Sequence, residues 1–397
     1  MAKSRTYERT HAHISFELKL DNMPPAFWMN LGEARSKTDH IKYVPLRPET
    51  SQDLHQVYFA KGVNATTAIE GNTLSEKEVR ERIEKGLELP PSKEYLGTEI
   101  DNMVAAYNQI FRRSFDHDHL PLTAVTLRDL NRQILAGLPV EPGVVPGEFR
   151  THSVAVGSYV GAPAEDCEFL IGRMCSWLDT LRPPTDDPAL VVPYAFIAAV
   201  AAHVYLEWIH PFGDGNGRLG RLLEFLILTN AGIPTPACHV LTSHYNETRT
   251  EYYRQLNQAT RERNVNSFLM YAAQGFIDGL LGQIKRLHQQ QEKLMWRNWV
   301  DERYEGRANA AASRQRALAI QLGELDGEWV PRSAITTLTP YLAGCYADRT
   351  PKTVSRDLNE LTKVGYIEVN RSRVRARIEA VRGMRPWTFP AEAPGIT

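Results

Sequence analysis

Apolar residues recur every three or four positions through most of the chain, which predicts a mainly α-helical protein. The most apolar stretch, Val191–Ile209, contains Pro193, His203 and Glu207, so we expect a buried core helix rather than a membrane span. The first 50 residues have weak periodicity and several prolines, and they support no firm prediction. Helices are predicted over residues 52–69, 99–111, 123–136, 167–180, 191–209, 218–229, 249–260 and 267–287.

Breaks in this pattern carry clear local signals. Glu70-Gly71-Asn72 ends the first of these helices, because glycine favours the left-handed conformation that follows a helix C-terminus. Ser75 and Glu78 have the spacing of a capping box, which predicts that a new helix begins after Ser75. The β-branched run Ser153–Ser158, with glycines on both sides, predicts a short hairpin.

The last part of the chain has a different pattern. Residues 287–312 are rich in Gln, Arg and Ala and predict a helical connector. Helices at 313–325, at 331–338 and after Thr350-Pro351 are followed by β segments at 366–369 and 373–378. We therefore expect an N-terminal helical region (1–110), a central core (111–286), the connector (287–312) and a C-terminal domain of mixed helices and strands (313–390).

Composition limits the class of protein. The chain has 397 residues, enough for two or three domains, and its net charge of -1 excludes a uniformly basic surface. Its four cysteines have no C-x-x-C spacing, which argues against a zinc site or a disulfide framework and favours the reducing cytoplasm. The first residues lack the apolar core of a signal peptide.

The densest group of chemically active residue types is the segment His210–Arg221, which lies between two apolar helices. Gly213, Gly215 and Gly217 in its loop allow successive backbone N–H groups to converge on an anion, and the helix that follows adds its positive end. Arg218 and Arg221 are expected on one face of the first turn of that helix, where cations oppose the helix dipole. A polyphosphate held between the two arginines would turn this cost into a gain.

Asp214 and His210 add a metal ligand and a base to the same segment. Mg²⁺ commonly uses one or two protein carboxylates together with substrate phosphates, and imidazole accepts protons near neutral pH. Other roles stay open at this point: the arginines could pair with Glu207 or Glu224, Asp214 could cap a helix or turn, and His210 could be a core histidine.

His210–Arg221 matches H-P-F-x-D-G-N-G-R-x-x-R at every fixed position, and over roughly residues 55–275 the chain resembles Fic-domain proteins. The resemblance implies a helical bundle with a β-hairpin flap, and transfer of AMP from ATP to a hydroxyl group of a target protein or of the chain itself. It assigns proton abstraction to His210 and Mg²⁺ to Asp214, with Asn216 facing the α-phosphate and Arg221 nearest the γ-phosphate. The nucleotide-binding residues that it implies are Gly215, Asn216, Gly217, Arg218, Arg221, Tyr245 and Tyr252.

Other segments also resemble parts of this family. Gly147–Arg150 resembles the lead-in to a flap that clamps the target by strand addition. The flap residues here would be Ser153, Val154, Ala155, Val156 and Gly157. One position departs from the family: Thr260 stands where an Asn often contacts the base or ribose, so the choice of nucleotide is left open.

Upstream, Thr66-x-x-x-Glu70-Gly71 resembles an inhibitory motif in which the glutamate denies an arginine to the γ-phosphate. Glu70 is expected in the last turn of its helix, where a negative charge opposes the dipole and favours a cationic partner. Arg221 is the natural candidate for that partner.

The C-terminal domain resembles a winged helix-turn-helix. Residues 350–385 contain nine Lys or Arg against four Asp or Glu, a local excess that favours the DNA backbone, although a protein-docking role stays open. The candidate DNA contacts are Lys352, Thr353, Arg356, Arg371, Arg373, Arg375 and Arg377.

The sequence thus favours a cytoplasmic, autoinhibited AMP transferase that uses ATP and Mg²⁺, without a membrane partner. The alternatives are a nucleotide-sensing, DNA-binding transcriptional regulator, transfer of a different phosphate-containing group, and removal of AMP. A sensor would not need His210, so its presence favours catalysis. The target protein and the oligomeric state, including a homodimer, are left open.

Overall fold

A computed structural model describes residues 5–157, 159–307 and 309–382. The chain divides into two compact units, Met1–Ile284 (unit 1) and Lys285–Thr397 (unit 2). The predicted mainly α-helical fold is confirmed. The finer division at residues 110, 286 and 312 stays a prediction, and positions 383–390 of its last domain lie outside the described residues.

Unit 1 contains a helical bundle and one short hairpin. The α-helices that begin in it are α1 (Thr6–Thr10), α2 (Pro25–Tyr43), α3 (Pro48–Ile69), α4 (Glu76–Lys85), α5 (Glu94–Phe115), α6 (Ala124–Ile134), α7 (Cys167–Leu178), α8 (Val191–Ile209), α9 (Asn216–Asn230), α10 (Thr235–Cys238), α11 (Val240–Glu247), α12 (Arg249–Glu262) and α13 (Asn266–Tyr304). Short 3-10 turns cover Leu20–Asn22, Pro91–Lys93, Ala164–Asp166 and Pro188–Leu190. The predicted hairpin is present as the antiparallel strands β1 (Ala155–Val156) and β2 (Tyr159–Val160).

The most apolar helix, α8, lies at the centre of unit 1 and packs against α2, α7 and α9. With the turn before it, Pro188–Ile209 is long and apolar enough to cross a membrane by length and composition, but 67% of its apolar window is buried inside the protein. A helix that is apolar all round is buried in this way when it forms a core. The α8–α9 pair therefore provides a rigid base for the turn between them.

The end of α3 is fixed by local hydrogen bonds. Gly71 has a φ of 103° and donates to Ala68 O at 3.0 Å, and Asn72 donates to Thr67 O at 3.0 Å. This is the predicted glycine-terminated end, and it holds Glu70 at the C-cap position directly after the helix. The predicted capping box that opens α4 is also present, with Ser75 and Glu78 bonded reciprocally.

Unit 2 combines helices with a small antiparallel sheet whose strand order is β3-β5-β4. Its helices are α14 (Ala310–Gly323), α15 (Pro340–Tyr346), α16 (Pro351–Val364) and α17 (Glu379–Arg382), and its strands are β3 (Val330–Pro331), β4 (Ile367–Asn370) and β5 (Arg373–Ala376). As predicted, α16 begins after Thr350 and ends at Gly365, whose φ is 89°.

Two sequence predictions for this region are corrected. In place of the helix expected over 331–338, the chain forms the end of strand β3 (Val330–Pro331) and then the 3-10 helix Arg332–Thr337. Helix α15 was missed, although Thr339-Pro340 is the same cap-plus-proline signal that identified α16. The helix expected to end at 287 is also much longer: α13 continues to Tyr304, through most of the predicted connector, and the unit boundary falls within it.

We predict that His239 makes unit 1 sensitive to acid. Its ring is 1% exposed and packs against Tyr107 and Phe225, and both ring nitrogens are buried without a hydrogen bond. Burial, with a smaller contribution from the charge of His55, lowers the pKa of His239 to about 3. Because the unfolded chain takes up this proton near pH 6.5, stability falls as the pH drops from 6.5 toward 3, by about 2 kcal/mol at pH 5.

Urea unfolding of the full chain at pH 7.5 and pH 5.0 tests this. His239→Phe keeps a ring at the site and should lose this part of the pH dependence, whereas His119→Gln, at an exposed histidine, should retain it. Equal pH dependence in the His239→Phe and wild-type proteins would contradict the assignment.

Candidate functional site

The turn between α8 and α9 begins with a strained residue, His210, and ends with a glycine, Gly215. His210 ends α8 with a left-handed φ of 49°, and Gly215 precedes α9 with a φ of 80°. Glycine adopts such angles readily, whereas a residue with a side chain does so at a cost that surrounding contacts must offset. His210 is therefore held in place by the structure around it.

Asn216 closes the turn on itself. Its amide donates to Phe212 O at 2.8 Å and accepts the Phe212 N–H at 3.0 Å, and the residue is 2% exposed. The side chain that was expected to face the α-phosphate is thus engaged within the turn. The first residues of α9 therefore present their backbone N–H groups to an anion, and not the Asn216 side chain.

Side chains from outside the turn hold it, and the sequence analysis did not identify them. Arg150 is buried and donates to His210 O at 2.7 Å, and its other donors reach carbonyls next to the flap. Asn131 donates to Asp214 O at 3.0 Å and accepts the Gly147 N–H at 2.8 Å. The segment that contains Arg150 resembled a flap lead-in, and the structure shows that this arginine also braces the turn.

The turn faces a cleft of about 480 Å³, a size typical of small-molecule sites. Its walls come from the flap, the end of α8, the turn, α9 and α12. Ten residues with predicted roles line it together: Glu70, Val156, Gly157, His210, Asp214, Gly215, Asn216, Gly217, Arg221 and Tyr252.

Arg221 is the most deeply buried charge in this wall. The sequence analysis placed it in the first turn of α9, but α9 begins at Asn216, so Arg221 is its sixth residue. It is 1% exposed and donates to Glu70 Oε1 at 2.6 Å, to Thr66 O at 3.0 Å and to Thr66 Oγ1 at 3.0 Å. Burial alone would lower the pKa of Arg221, but the nearby charge of Glu70 raises it above its usual value. The predicted pairing of Glu70 with Arg221 is present in the structure.

Arg218, the other arginine, lies in the first turn of α9 and has partners that the sequence analysis did not foresee. It donates to Glu99 Oε1 at 2.7 Å and to Asp214 Oδ1 at 3.0 Å, rather than to Glu207 or Glu224. Burial raises the pKa of Glu99, although the charge of Arg218 opposes this shift. The signal was in the sequence, because Glu99 interrupts the apolar stripe of α5 and a carboxylate at such a position needs a partner.

Asn72 connects this second arginine to the end of α3. Its amide donates to Glu99 Oε2 at 2.9 Å, and Glu99 in turn accepts from Arg218. Residues 66–72 therefore contact Arg221 directly and Arg218 through Glu99.

Tyr245 and Tyr252 were both predicted to contact the nucleotide, but only Tyr252 lines the cleft. Tyr245 is fully buried, does not line the cleft, and donates to Glu224 Oε1 at 2.8 Å, so its predicted role is corrected to a structural one. Tyr252 lines the cleft wall, and its hydroxyl lies 3.0 Å from His203 Nε2 and 3.5 Å from Arg221 Nη1. Burial raises the pKa of both phenols.

The outer wall of the cleft is formed by the exposed face of α12. Tyr253 and Asn257, which were not among the predicted contacts, line it together with Thr260. The Thr260 hydroxyl accepts from Trp208 Nε1 at 2.9 Å, so it is already engaged by the protein. Asn257, one turn earlier on the same helix, provides an amide at the cleft.

The flap borders the opposite side. Val156, Gly157 and Tyr159 line the cleft, and Tyr159 donates to Trp208 O at 2.6 Å. The predicted flap residues Ser153 and Val154 precede β1, and Ser158 lies outside the described residues.

Asp214 is the carboxylate available to a metal ion. Its side chain is 43% exposed, and its Oδ1 accepts from Arg218 and from the Gly215 N–H. Within the described residues, no group of three or more His, Cys, Asp or Glu could hold a metal ion. A single carboxylate fits an ion that arrives with substrate phosphates.

In unit 2, the predicted DNA contacts do not all remain available. Arg375 donates to Glu368 at 2.8 Å and to Glu379 at 3.2 Å, so this residue is corrected to an internal ion pair. Thr353 is half-buried. The remaining candidates are exposed and have no ion pair among the described residues: Lys352, Arg356, Arg371, Arg373 and Arg377.

Comparisons with known proteins agree with this geometry. The profile of the Fic/DOC family matches residues 121–228. The chain is 31% identical over 221 residues to "Protein adenylyltransferase fic-1" of Caenorhabditis briggsae, a match that covers 55% of this chain and 40% of that protein. It is 28% identical over 226 residues to "Protein adenylyltransferase Fic" of Nematostella vectensis, covering 55% and 47%. The chain thus spans less than half the length of either relative.

Solved structures show the same fold. Fic-1 from Caenorhabditis elegans aligns with a TM-score of 0.52 at 26% identity, covering 66% of this chain and 73% of that one. A Fic family protein from Desulfovibrio desulfuricans G20 aligns with a TM-score of 0.53 at 20% identity, covering 89% and 97%. The matching profile over residues 121–228 and these structural likenesses show a fold similar to that of Fic-domain proteins.

Proposed function

We propose that this chain is a protein adenylyltransferase that transfers AMP from ATP to a hydroxyl group of a target protein or of itself, and that Glu70 inhibits it. The observation that carries the proposal is that His210, the anion-binding start of α9 and the Arg221–Glu70 pair all line one cleft. The names of the curated relatives, protein adenylyltransferases, support the same activity.

In the proposed reaction, His210 takes the proton from the target hydroxyl, whose oxygen then bonds to the α-phosphorus of ATP. The bond from the α-phosphorus to the bridging oxygen breaks, and pyrophosphate leaves. The turn holds the phosphates through backbone N–H groups and arginine, so positioning and charge neutralisation supply most of the catalysis. Asp214 would hold Mg²⁺, which would offset charge on the phosphates.

The inhibition follows from the occupancy of Arg221. Glu70 takes one of its terminal nitrogens at 2.6 Å, and Thr66 takes further donors. A γ-phosphate that needs Arg221 must therefore displace Glu70 or bind in a pose unsuited to in-line attack.

We further propose a reducing compartment, the cytoplasm, for this protein. The four cysteines, Cys167, Cys175, Cys238 and Cys345, are all unpaired thiols, and the first three of them are buried. Free thiols persist where glutathione keeps them reduced.

Glu70→Gly should raise AMP transfer and self-modification at least tenfold, and His210→Ala in that background should lower transfer by about 10²- to 10⁴-fold. Incubation with α-labelled ATP and Mg²⁺ measures both. Glu84→Gly is a matched control, because it removes a glutamate near the end of α4 that pairs with Arg80 instead of Arg221. Unchanged labelling in Glu70→Gly would contradict inhibition by Glu70, and full labelling in the His210 variant would contradict its role as the base.

The identity of the transferred group needs its own measurement. Intact-mass analysis of Glu70→Gly after incubation with Mg²⁺ and mixed nucleotides should show the mass of AMP added. An added mass equal to that of phosphate or of another nucleotide would show that this group, and not AMP, is transferred. Loss of AMP from a previously modified protein would reveal the reverse activity.

A second candidate function is duplex-DNA binding by unit 2. The element order α14, β3, α15, α16, β4, β5 and the sheet order β3-β5-β4 support a winged helix-turn-helix in which α16 would be the recognition helix. Lys352 and Arg356 lie on α16, and Arg371, Arg373 and Arg377 lie in or beside the hairpin of β4 and β5. Such exposed cations suit a phosphate backbone.

DNA binding should be weak in sequence preference and steeply dependent on salt. Each of Arg373→Ala and Arg377→Ala should lower affinity for a labelled duplex and reduce the salt slope by about 1. Arg375→Ala is the matched control from the same segment, because its guanidinium is already paired with Glu368 and should contribute less. Undetectable or salt-insensitive binding, measured by fluorescence anisotropy, would favour a protein-docking role.

A further inference from the structure

A buried carboxylate, Glu207, lies next to the proposed base. Glu207 belongs to the last turn of α8, three residues before His210, and both side chains line the cleft. Glu207 Oε2 is 3.6 Å from His210 Nδ1, close to hydrogen-bonding distance.

Both partners have an unmet need for a hydrogen bond. His210 Nδ1 and Glu207 Oε1 are buried polar atoms without a hydrogen bond in the described part of the chain. A buried polar atom in this state costs free energy, so a small rotation that brings these groups together is favoured. Only 14% of the His210 side chain is exposed, and this part excludes Nδ1. Nε2 is therefore the nitrogen that a substrate can reach.

The surroundings favour an ionised Glu207. Burial raises its pKa, but the interaction with the nearby His210 imidazole and the charges of His203 and Arg221 outweigh burial, so the pKa of Glu207 lies below its usual value. The other titratable groups that face it are the phenols of Tyr159 and Tyr252, which burial and the Glu207 charge help to keep neutral. A negative charge is thus held beside His210.

The position of Glu207 is set by how closely α8 and α9 approach. A Cβ added at Gly220 of α9 would lie 2.8 Å from His203 Cδ2 and 3.4 Å from Glu207 Oε1. The absence of a side chain at Gly220 therefore lets α9 approach α8 closely at His203, beside the Glu207 carboxylate.

We infer that Glu207 is a positioning residue for His210. It accepts the Nδ1–H, which fixes the imidazole in the tautomer with a free Nε2 lone pair facing the cleft. When Nε2 takes the proton of the target hydroxyl, the carboxylate stabilises the imidazolium without being protonated itself. In the structure, His210 Nδ1 and Glu207 Oε2 are 3.6 Å apart. In the substrate complex this separation shortens to a hydrogen bond, as catalytic hydrogen bonds do.

The kinetic test of this inference rests on the proposed function, whereas the measurement of the His210 tautomer does not. The tautomer of His210 can be read without nucleotide from the ¹⁵N shifts of selectively labelled histidine in the full chain, with His210→Ala assigning the signal. Wild-type protein should show the Nδ1–H tautomer at pH 8, and Glu207→Gln should show a mixture. An Nε2–H tautomer in the wild-type protein overturns the inference, whether or not the chain transfers AMP.

The kinetic test uses Glu70→Gly as the active reference. Adding Glu207→Gln should lower kcat about 10- to 100-fold, change the KM for ATP less than about twofold, and move the acid limb of the pH–rate profile to lower pH. Glu207→Asp keeps the charge and should restore part of kcat and the position of the acid limb. It also provides a second variant if Glu207→Gln fails to fold.

Glu224→Gln is the matched control. It neutralises another buried carboxylate that contacts His203 and Tyr245 but does not line the cleft, and it should leave the acid limb in place. A Glu207→Gln enzyme with unchanged kcat and pH profile, or with a raised KM alone, would show that Glu207 only forms the cleft wall. Absence of transfer in the Glu70→Gly reference itself would instead count against the proposed function.

Discussion

A guanidinium with 1% exposure cannot stay in a protein without anionic or carbonyl partners, and Arg221 imposes this constraint on the site. In the structure, Glu70 and the Thr66 carbonyl meet it. Because the buried Arg221 needs an anionic partner, its site also suits a phosphate. A nucleotide can supply the missing negative charge when Glu70 leaves. One buried cation that accepts either of two anions is a physical basis for a switch, because each anion must displace the other.

The constraint extends to the second arginine through residues 66–72. Asn72 bonds to Glu99, and Glu99 bonds to Arg218, which in turn holds Asp214. A movement of the end of α3 would therefore change the partners of both arginines and of the carboxylate that suits Mg²⁺. The left-handed Gly71 and the backbone hydrogen bond of Asn72 to Thr67 O tie Glu70 and Asn72 into one compact helix end.

The sequence predicted those features whose signals are local. The His210–Arg221 turn, the glycine end of α3, the capping box and the hairpin each depend on a few adjacent residues, and the structure contains all of them. The pairing of Arg218 with Glu99 could not be found in this way, because the two residues are 119 positions apart and only the tertiary fold brings them together. Tyr245 was misassigned for the same reason, because its contact with Glu224, 21 residues earlier in the chain, depends on the tertiary packing and not on adjacent residues.

The chain presents positive charge to anions in two physically different settings. Arg221 is buried, so its interactions are weakly screened by salt, and its geometry admits one anion in one orientation. Arg371, Arg373 and Arg377, in or beside the β4–β5 hairpin, are exposed, and release of counterions would drive their binding to any regular array of phosphates. Ionic strength should therefore separate the two proposed kinds of anion contact: salt that abolishes contact with a nucleic acid backbone should leave the Glu70–Arg221 pair almost unchanged.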